Sequence, residues 1–136
     1  VTKKLQTILY LEDDPAISEL VLLALAARDD LELVHVATGP DAIARFPEVK
    51  PDLMLFDVMV PDLDGIDAAR TIKEQHKDHL APVIFMTAKT QAKMQIESMG
   101  ALGIIAKPFD ILVLADQIEE MYAAGIAEQS GARVEA

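Results

Sequence analysis

Short runs of Ile, Leu and Val recur along the chain, near residues 7–11, 32–36, 53–57, 82–87 and 102–106. Longer stretches with apolar residues at helical spacing follow them, near 14–28, 40–48, 65–77, 90–99 and 110–124. The short runs predict strands and the longer stretches predict helices. A regular strand–helix alternation predicts an α/β fold, a doubly wound five-stranded parallel sheet with helices on both faces. Leu53–Phe56 and Val83–Met86 are apolar at every position, which places these two strands in the middle of the sheet.

Punctuation supports these boundaries. Asp14-Pro15 suits an N-cap and first helical position, and Gly39-Pro40 reads the same way for the second helix. Asp62-Leu63-Asp64-Gly65 predicts a turn into the third. In the first helix, Ile17, Leu20, Val21 and Ala24 are expected to face the sheet, leaving Leu22, Leu23 and Ala26 outward. One domain is expected over residues 5–125, and the small, polar residues 126–136 read as a flexible C-terminal tail.

Composition narrows the function. With 136 residues and 51% apolar content the chain can bury one core. It has no Cys, which excludes disulfides and thiolate metal sites and fits a cytoplasmic protein. A formal charge of −11 argues against direct nucleic-acid binding and against an anionic membrane surface. The longest apolar run, Leu20–Ala27, is far short of a bilayer span.

In open α/β sheets, ligands bind outside the carboxyl ends of the strands. The first strand ends in Glu12-Asp13-Asp14, the third in Asp57, the fourth in Thr87 and the fifth in Lys107-Pro108. Acids, a hydroxyl and an ammonium thus share one edge. Capping before Pro15 accounts for Asp14. Two carboxylates about 4 Å apart repel by roughly 4 kcal/mol at an effective dielectric near 20, so Glu12, Asp13 and Asp57 need a cation or must raise one another's pKa. Oxygen ligands without His or Cys favour Mg²⁺ or Ca²⁺ over zinc, and Mg²⁺ commonly completes its shell with phosphate oxygens. Lys107 and Thr87 would serve a phosphoryl group on Asp57 as counter-charge and donor.

The stretches "ILYLEDDP" (8–15), "PDLMLFDVMVPDLDG" (51–65), "PVIFMTA" (82–88) and "AKPF" (106–109) together resemble the receiver domain of two-component response regulators. The resemblance implies the flavodoxin-like strand order 2-1-3-4-5. It makes Asp57 the phosphoacceptor for a sensor histidine kinase or histidine phosphotransfer protein. Glu12, Asp13, Asp57 and the backbone carbonyl of Met59 become ligands of Mg²⁺ (or Mn²⁺). Thr87 and Lys107 become phosphoryl-stabilising residues, and the Lys107–Pro108 bond is expected to be cis. The resemblance implies a phosphorylation-controlled switch that catalyses only its own phosphorylation and dephosphorylation. Its downstream protein is unknown, and a phosphorylation-dependent homodimer through the fourth helix, fifth strand and fifth helix is open, with Met99, Ile111 and Val113 as candidate contacts.

Three positions depart from the pattern or tune it. Ile104 stands where many receivers carry an aromatic ring that swings inward on activation, and a β-branched residue is stiff at χ1. Met59 and Lys89 hold the positions that set phosphoryl lifetime in the family, and slow self-dephosphorylation is expected here. Leu22 and Leu23 lie on the helix that docks kinases in the family. Two other readings compete. A phosphorylation-independent docking module draws on Ile104, and a flavin carrier shares the topology. The latter needs a hydroxyl- and Gly-rich loop where this chain has "EDDPA".

Overall fold

A computed structural model describes residues 4–88 and 93–135, with side chains described as far as residue 127. Five strands, β1 (Thr7–Leu11), β2 (Glu32–Val36), β3 (Leu53–Asp57), β4 (Val83–Thr87) and β5 (Gly103–Ala106), alternate with five helices. The helices are α1 (Pro15–Ala26), α2 (Gly39–Val49), α3 (Gly65–Gln75), α4 (Lys93–Ser98) and α5 (Leu114–Glu135). All strand pairs are parallel, in the order β2-β1-β3-β4-β5. The fold class is therefore the doubly wound one.

Alternation along the strands divides the core. Leu9, Leu11, Met54, Phe56 and Phe85 pack with Phe46, Ile66, Ile72 and Ile96 from α2, α3 and α4. Ile8, Tyr10, Leu53, Leu55, Ile84, Met86 and Ile105 pack with Val21, Leu25, Leu114, Ile118 and Tyr122 from α1 and α5. Every residue of β3 and β4 is buried, as their apolar runs predict.

Several boundaries differ from the sequence reading. Asp14 caps α1, accepting from the N–H of Ala16 at 2.9 Å. For α2, however, the cap is Thr38, whose Oγ1 accepts from Asp41 N–H at 3.2 Å. Gly39 is already helical, and a Cβ there would lie 2.3 Å from the Leu63 carbonyl oxygen. Leu20 is 44% exposed, so it does not face the sheet; Ser18, Val21 and Leu25 do. Ser18 tolerates that position because its hydroxyl donates to the Pro15 carbonyl at 3.2 Å.

At the C-terminal end, α5 begins at Leu114, after a turn in which Asp110 Oδ1 accepts from Leu112 N–H at 2.9 Å. The helix then runs through residues 126–135, the stretch expected as a flexible tail. Ala, Glu, Gln and Arg there are good helix formers. Gly125 lets the helix close on Leu102, whose Cδ2 would stand 2.2 Å from an added Cβ.

Gly65 governs how closely a helix can approach the end of β3. It is the first residue of α3, capped by Asp64, and its N–H donates to the Val58 carbonyl at 2.9 Å. An added Cβ would meet the Asp57 carbonyl oxygen at 2.0 Å and Val58 Cα at 3.2 Å, both backbone atoms that cannot rotate away. Gly65→Ala is expected to cost about 1–3 kcal/mol of stability by forcing α3 off the end of β3. Chemical denaturation measures this, and an unchanged midpoint would refute the close approach.

Candidate functional site

The alternation that puts Ile8 and Tyr10 toward α1 and α5 carries on to Glu12; Leu53 and Leu55 carry on to Asp57, and Ile105 to Lys107. Because parallel strands end at one edge, these three side chains meet although Glu12 and Lys107 are 95 residues apart. Lys107 Nζ donates to Glu12 Oε1 at 2.8 Å and lies 3.2 Å from Asp57 Oδ2. Carboxylate oxygens of Glu12, Asp13 and Asp57 all fall within 4.8 Å of one another. Glu12 and Asp57 are buried, and Asp13 is exposed at the mouth.

Backbone groups fix the frame. The Lys107 N–H donates to the Thr87 carbonyl at 3.0 Å, and Val58 N–H donates to the Met86 carbonyl at 3.1 Å. Asp14 N–H donates to Glu12 Oε2 at 3.2 Å, and Met59 N–H approaches Asp57 Oδ1 at 3.4 Å. Thr87 is buried at the end of β4, in the strand next to Asp57. Pro108 follows Lys107 through a cis peptide bond.

Charge is unbalanced here: among the described residues, three carboxylates face one ammonium. Burial, then the charge of Glu12, push the Asp57 carboxyl up to about 6, against the pull of Lys107. Burial pulls Lys107 down, but its hydrogen bond to Glu12 and the charges of Asp57 and Glu12 outweigh this and hold it above its ordinary value. The donor set fits a hard divalent cation such as Mg²⁺: all oxygen, anionic in excess, and open to solvent through Asp13.

Met59 is 57% exposed beyond the end of β3. Ile104 pairs with Phe85 across β4–β5 and packs, partly buried, against the α2–α3 cluster. Leu22 and Leu23 are exposed on α1. Lys89 lies outside the described residues. Two neighbours escaped the sequence reading. Tyr10 is fully buried, and its hydroxyl has no hydrogen-bond partner among the described residues. Burial and the charges of Glu12, Asp57 and Asp14 raise its pKa. His35, opposite Tyr10 in the β1–β2 register, places Nε2 2.9 Å from the Glu12 carbonyl oxygen. Only the strand register brings either one to the site.

This arrangement defines a class, and comparison with known proteins agrees. The response regulator receiver domain model matches residues 8–119, and the chain belongs to that family, the signalling domains of two-component response regulators. It is 35% identical over 107 residues to the transcriptional regulatory protein TrcR of Mycobacterium tuberculosis, an alignment covering 76% of this chain and 40% of that protein. The chain thus spans less than half the length of that relative. Among solved structures, the chemotaxis response regulator CheY4 of Vibrio cholerae superposes with a TM-score of 0.77 at 22% identity, covering 87% of this chain and 99% of that one. The BeF3-activated receiver domain of Klebsiella pneumoniae RstA gives 0.75 at 27% identity, covering 86% and 98%.

The raised carboxyl of Asp57 has a measurable consequence for the metal-free protein. Between the unfolded value of 3.8 and about 6, the folded state binds more protons at this group than the unfolded state does. Stability from this group is therefore greatest below 3.8 and is lost as pH rises through about 6. Asp57→Asn removes the ionisation, so it is expected to be more stable than the parent at neutral pH by about 1–3 kcal/mol. That gap should close towards pH 4, as urea denaturation across the range would show. A pH-independent gap would contradict the account.

Proposed function

We propose that Asp57 accepts a phosphoryl group from a phosphohistidine of a sensor histidine kinase or histidine phosphotransfer protein, and that the modified site changes the protein's contacts. The observation that carries this reading is the ion pair between Lys107 and Asp57 inside an anionic cluster at the ends of β1 and β3. An Asp57 carboxylate oxygen forms the new O–P bond as the N–P bond to imidazole breaks, and the imidazole nitrogen regains a proton from solvent. Lys107 moves from its carboxylate partners to phosphoryl oxygens, and the Thr87 hydroxyl donates to another. Glu12, Asp13, Asp57 and the Met59 carbonyl would hold Mg²⁺ (or Mn²⁺), whose positive charge offsets that of the incoming phosphate.

The role is a switch rather than an enzyme acting on outside substrates. Among the described residues no helix is long and apolar enough to cross a membrane. A cytoplasmic setting fits a cysteine-free chain and a kinase donor. Exposed Leu22 and Leu23 on α1 form the docking contact for that donor. Ile111 and Val113 are exposed ahead of α5 and remain available to a homodimer, whereas Met99 packs against the core. A phosphorylation-independent docking module is favoured only by Ile104, and it leaves the buried cluster of Glu12, Asp57 and Lys107 without a purpose.

Incubation with acetyl phosphate and Mg²⁺, followed by intact mass, tests the reading. One phosphoryl group should add, and both chelation and Asp57→Asn should abolish it; addition to the Asn variant would reject Asp57 as acceptor. Decay of the adduct should be slow and should change when Met59→Asn places a polar group at the mouth. For the donor, Leu22→Ser with Leu23→Ser is expected to slow transfer from a cognate phosphohistidine about tenfold or more while leaving reaction with acetyl phosphate intact. Equal transfer rates would remove α1 as the docking surface.

A further inference from the structure

His35 belongs to β2, yet its polar end reaches the turn that carries the metal-site carboxylates. Its ring stacks at a tilt on Tyr10, with centroids 5.3 Å apart, and Nε2 lies 2.9 Å from the Glu12 carbonyl oxygen. A carbonyl can only accept, so Nε2 carries the hydrogen and donates. The β1–β2 ladder has its last bond beside this point, from Glu12 N–H to the Val36 carbonyl at 3.1 Å, and β2 ends at Val36. Beyond that bond the chain turns into Asp13, Asp14 and α1. The donor that reaches the Glu12 carbonyl is the imidazole.

We propose that His35 is a positioning residue for metal binding: by holding the Glu12 carbonyl it fixes the peptide plane between Glu12 and Asp13, and so the direction in which the Asp13 carboxylate leaves the chain. The peptide unit is planar, so anchoring its oxygen also sets the Asp13 N–H and the bond to Asp13 Cα. Glu12 is already tied at its other polar atoms, to Lys107, to Asp14 N–H and to Val36. Asp13 is the exposed member of the cluster, and the plane before it decides whether its oxygen stays within reach of Glu12 and Asp57. Hydrogen bonds that orient ligand groups commonly change metal affinity by about 10–100-fold when removed. The bland alternative is that His35 is only a ring that covers Tyr10. The two roles can be separated, because a phenyl ring covers without donating and an amide donates without stacking.

The inference rests on the proposed metal site, and the experiment distinguishes failure of one from failure of the other. Mg²⁺ is titrated into the parent, His35→Phe and His35→Gln, following backbone amide signals of Asp13, Met59 and Lys107 by NMR, with melting temperatures in parallel. His35→Phe should bind Mg²⁺ about tenfold or more weakly with little change in melting temperature, and His35→Gln should stay close to the parent. At saturating Mg²⁺ the phosphorylation rate of His35→Phe should return to the parental value. Equal affinities in all three proteins, or equal weakening in both variants, would overturn the positioning role. No Mg²⁺ response in the parent would instead overturn the metal site itself, and this role with it. A long-range proton–nitrogen NMR spectrum of the unmodified protein gives a check that needs no variant: the His35 hydrogen should sit on Nε2, and a hydrogen on Nδ1 alone would reject the bond.

Discussion

Three carboxylates held within 4.8 Å of one another against the Lys107 ammonium is the arrangement on which the rest of this structure turns. Like charges at that spacing repel by a few kcal/mol per pair at a surface-like dielectric, and burial of two of them adds to the cost. A chain of this size has only about 5–15 kcal/mol of net stability to set against such a penalty. The parallel sheet is what makes the arrangement bearable. It buries β3 completely, brings the ends of β1, β3 and β5 to one edge, and delivers Lys107 to the carboxylates from the far side of the fold. Local backbone donors, Asp14 N–H on Glu12 and Met59 N–H near Asp57, offset part of the remainder.

Steric crowding accounts for the glycines around the site. Gly65 allows α3 to begin against the backbone of Asp57, and Gly39 allows α2 to begin against the Leu63 carbonyl in the same loop. The segment from Asp57 to Gly65 is thereby pressed from two helices at once. The Asp57 carboxylate is held by packing of the backbone beneath it as well as by its ionic partners.

Much of this was legible in the order of residues. The fully apolar runs at 53–56 and 83–86 mark central strands, and the acids and the lysine that follow apolar runs mark a shared edge. What could not be read depended on contacts distant in sequence or on competition between local options. Thr38 and Gly39 both suit a helix start, and the Leu63 carbonyl excludes the side chain that any other residue would bring to position 39. Leu20 looked like a core residue by spacing, but Ser18 takes an inward place by bonding its own helix. The small, polar residues after Ile126 read as a tail by composition, which does not reveal that α5 runs on to Glu135. His35 and Tyr10 are ordinary strand residues until the β1–β2 register sets them side by side beneath Glu12.

Ile104 sharpens the question of how this site communicates with the surface. A β-branched side chain, stiff at χ1 and packed against the α2–α3 cluster, cannot reproduce the swing of an aromatic ring. The connections that do exist run through the other face. Lys107 links the cluster to β5 and, through its N–H, to the Thr87 carbonyl of β4. Behind it α5 is joined to α1 by Arg28, which bonds both Asp116 and Glu119. These pairs are exposed or half-buried and worth little each as stability, but they tie together the two helices that pack on the site-bearing side of the sheet. Under the proposed phosphorylation, a charge added at Asp57 would draw on Lys107 first, and Lys107 is held by β4 at one end and by Glu12 at the other. On that reading, movement of this one side chain would be felt at Glu12, ahead of α1, and at the end of β5, ahead of α5.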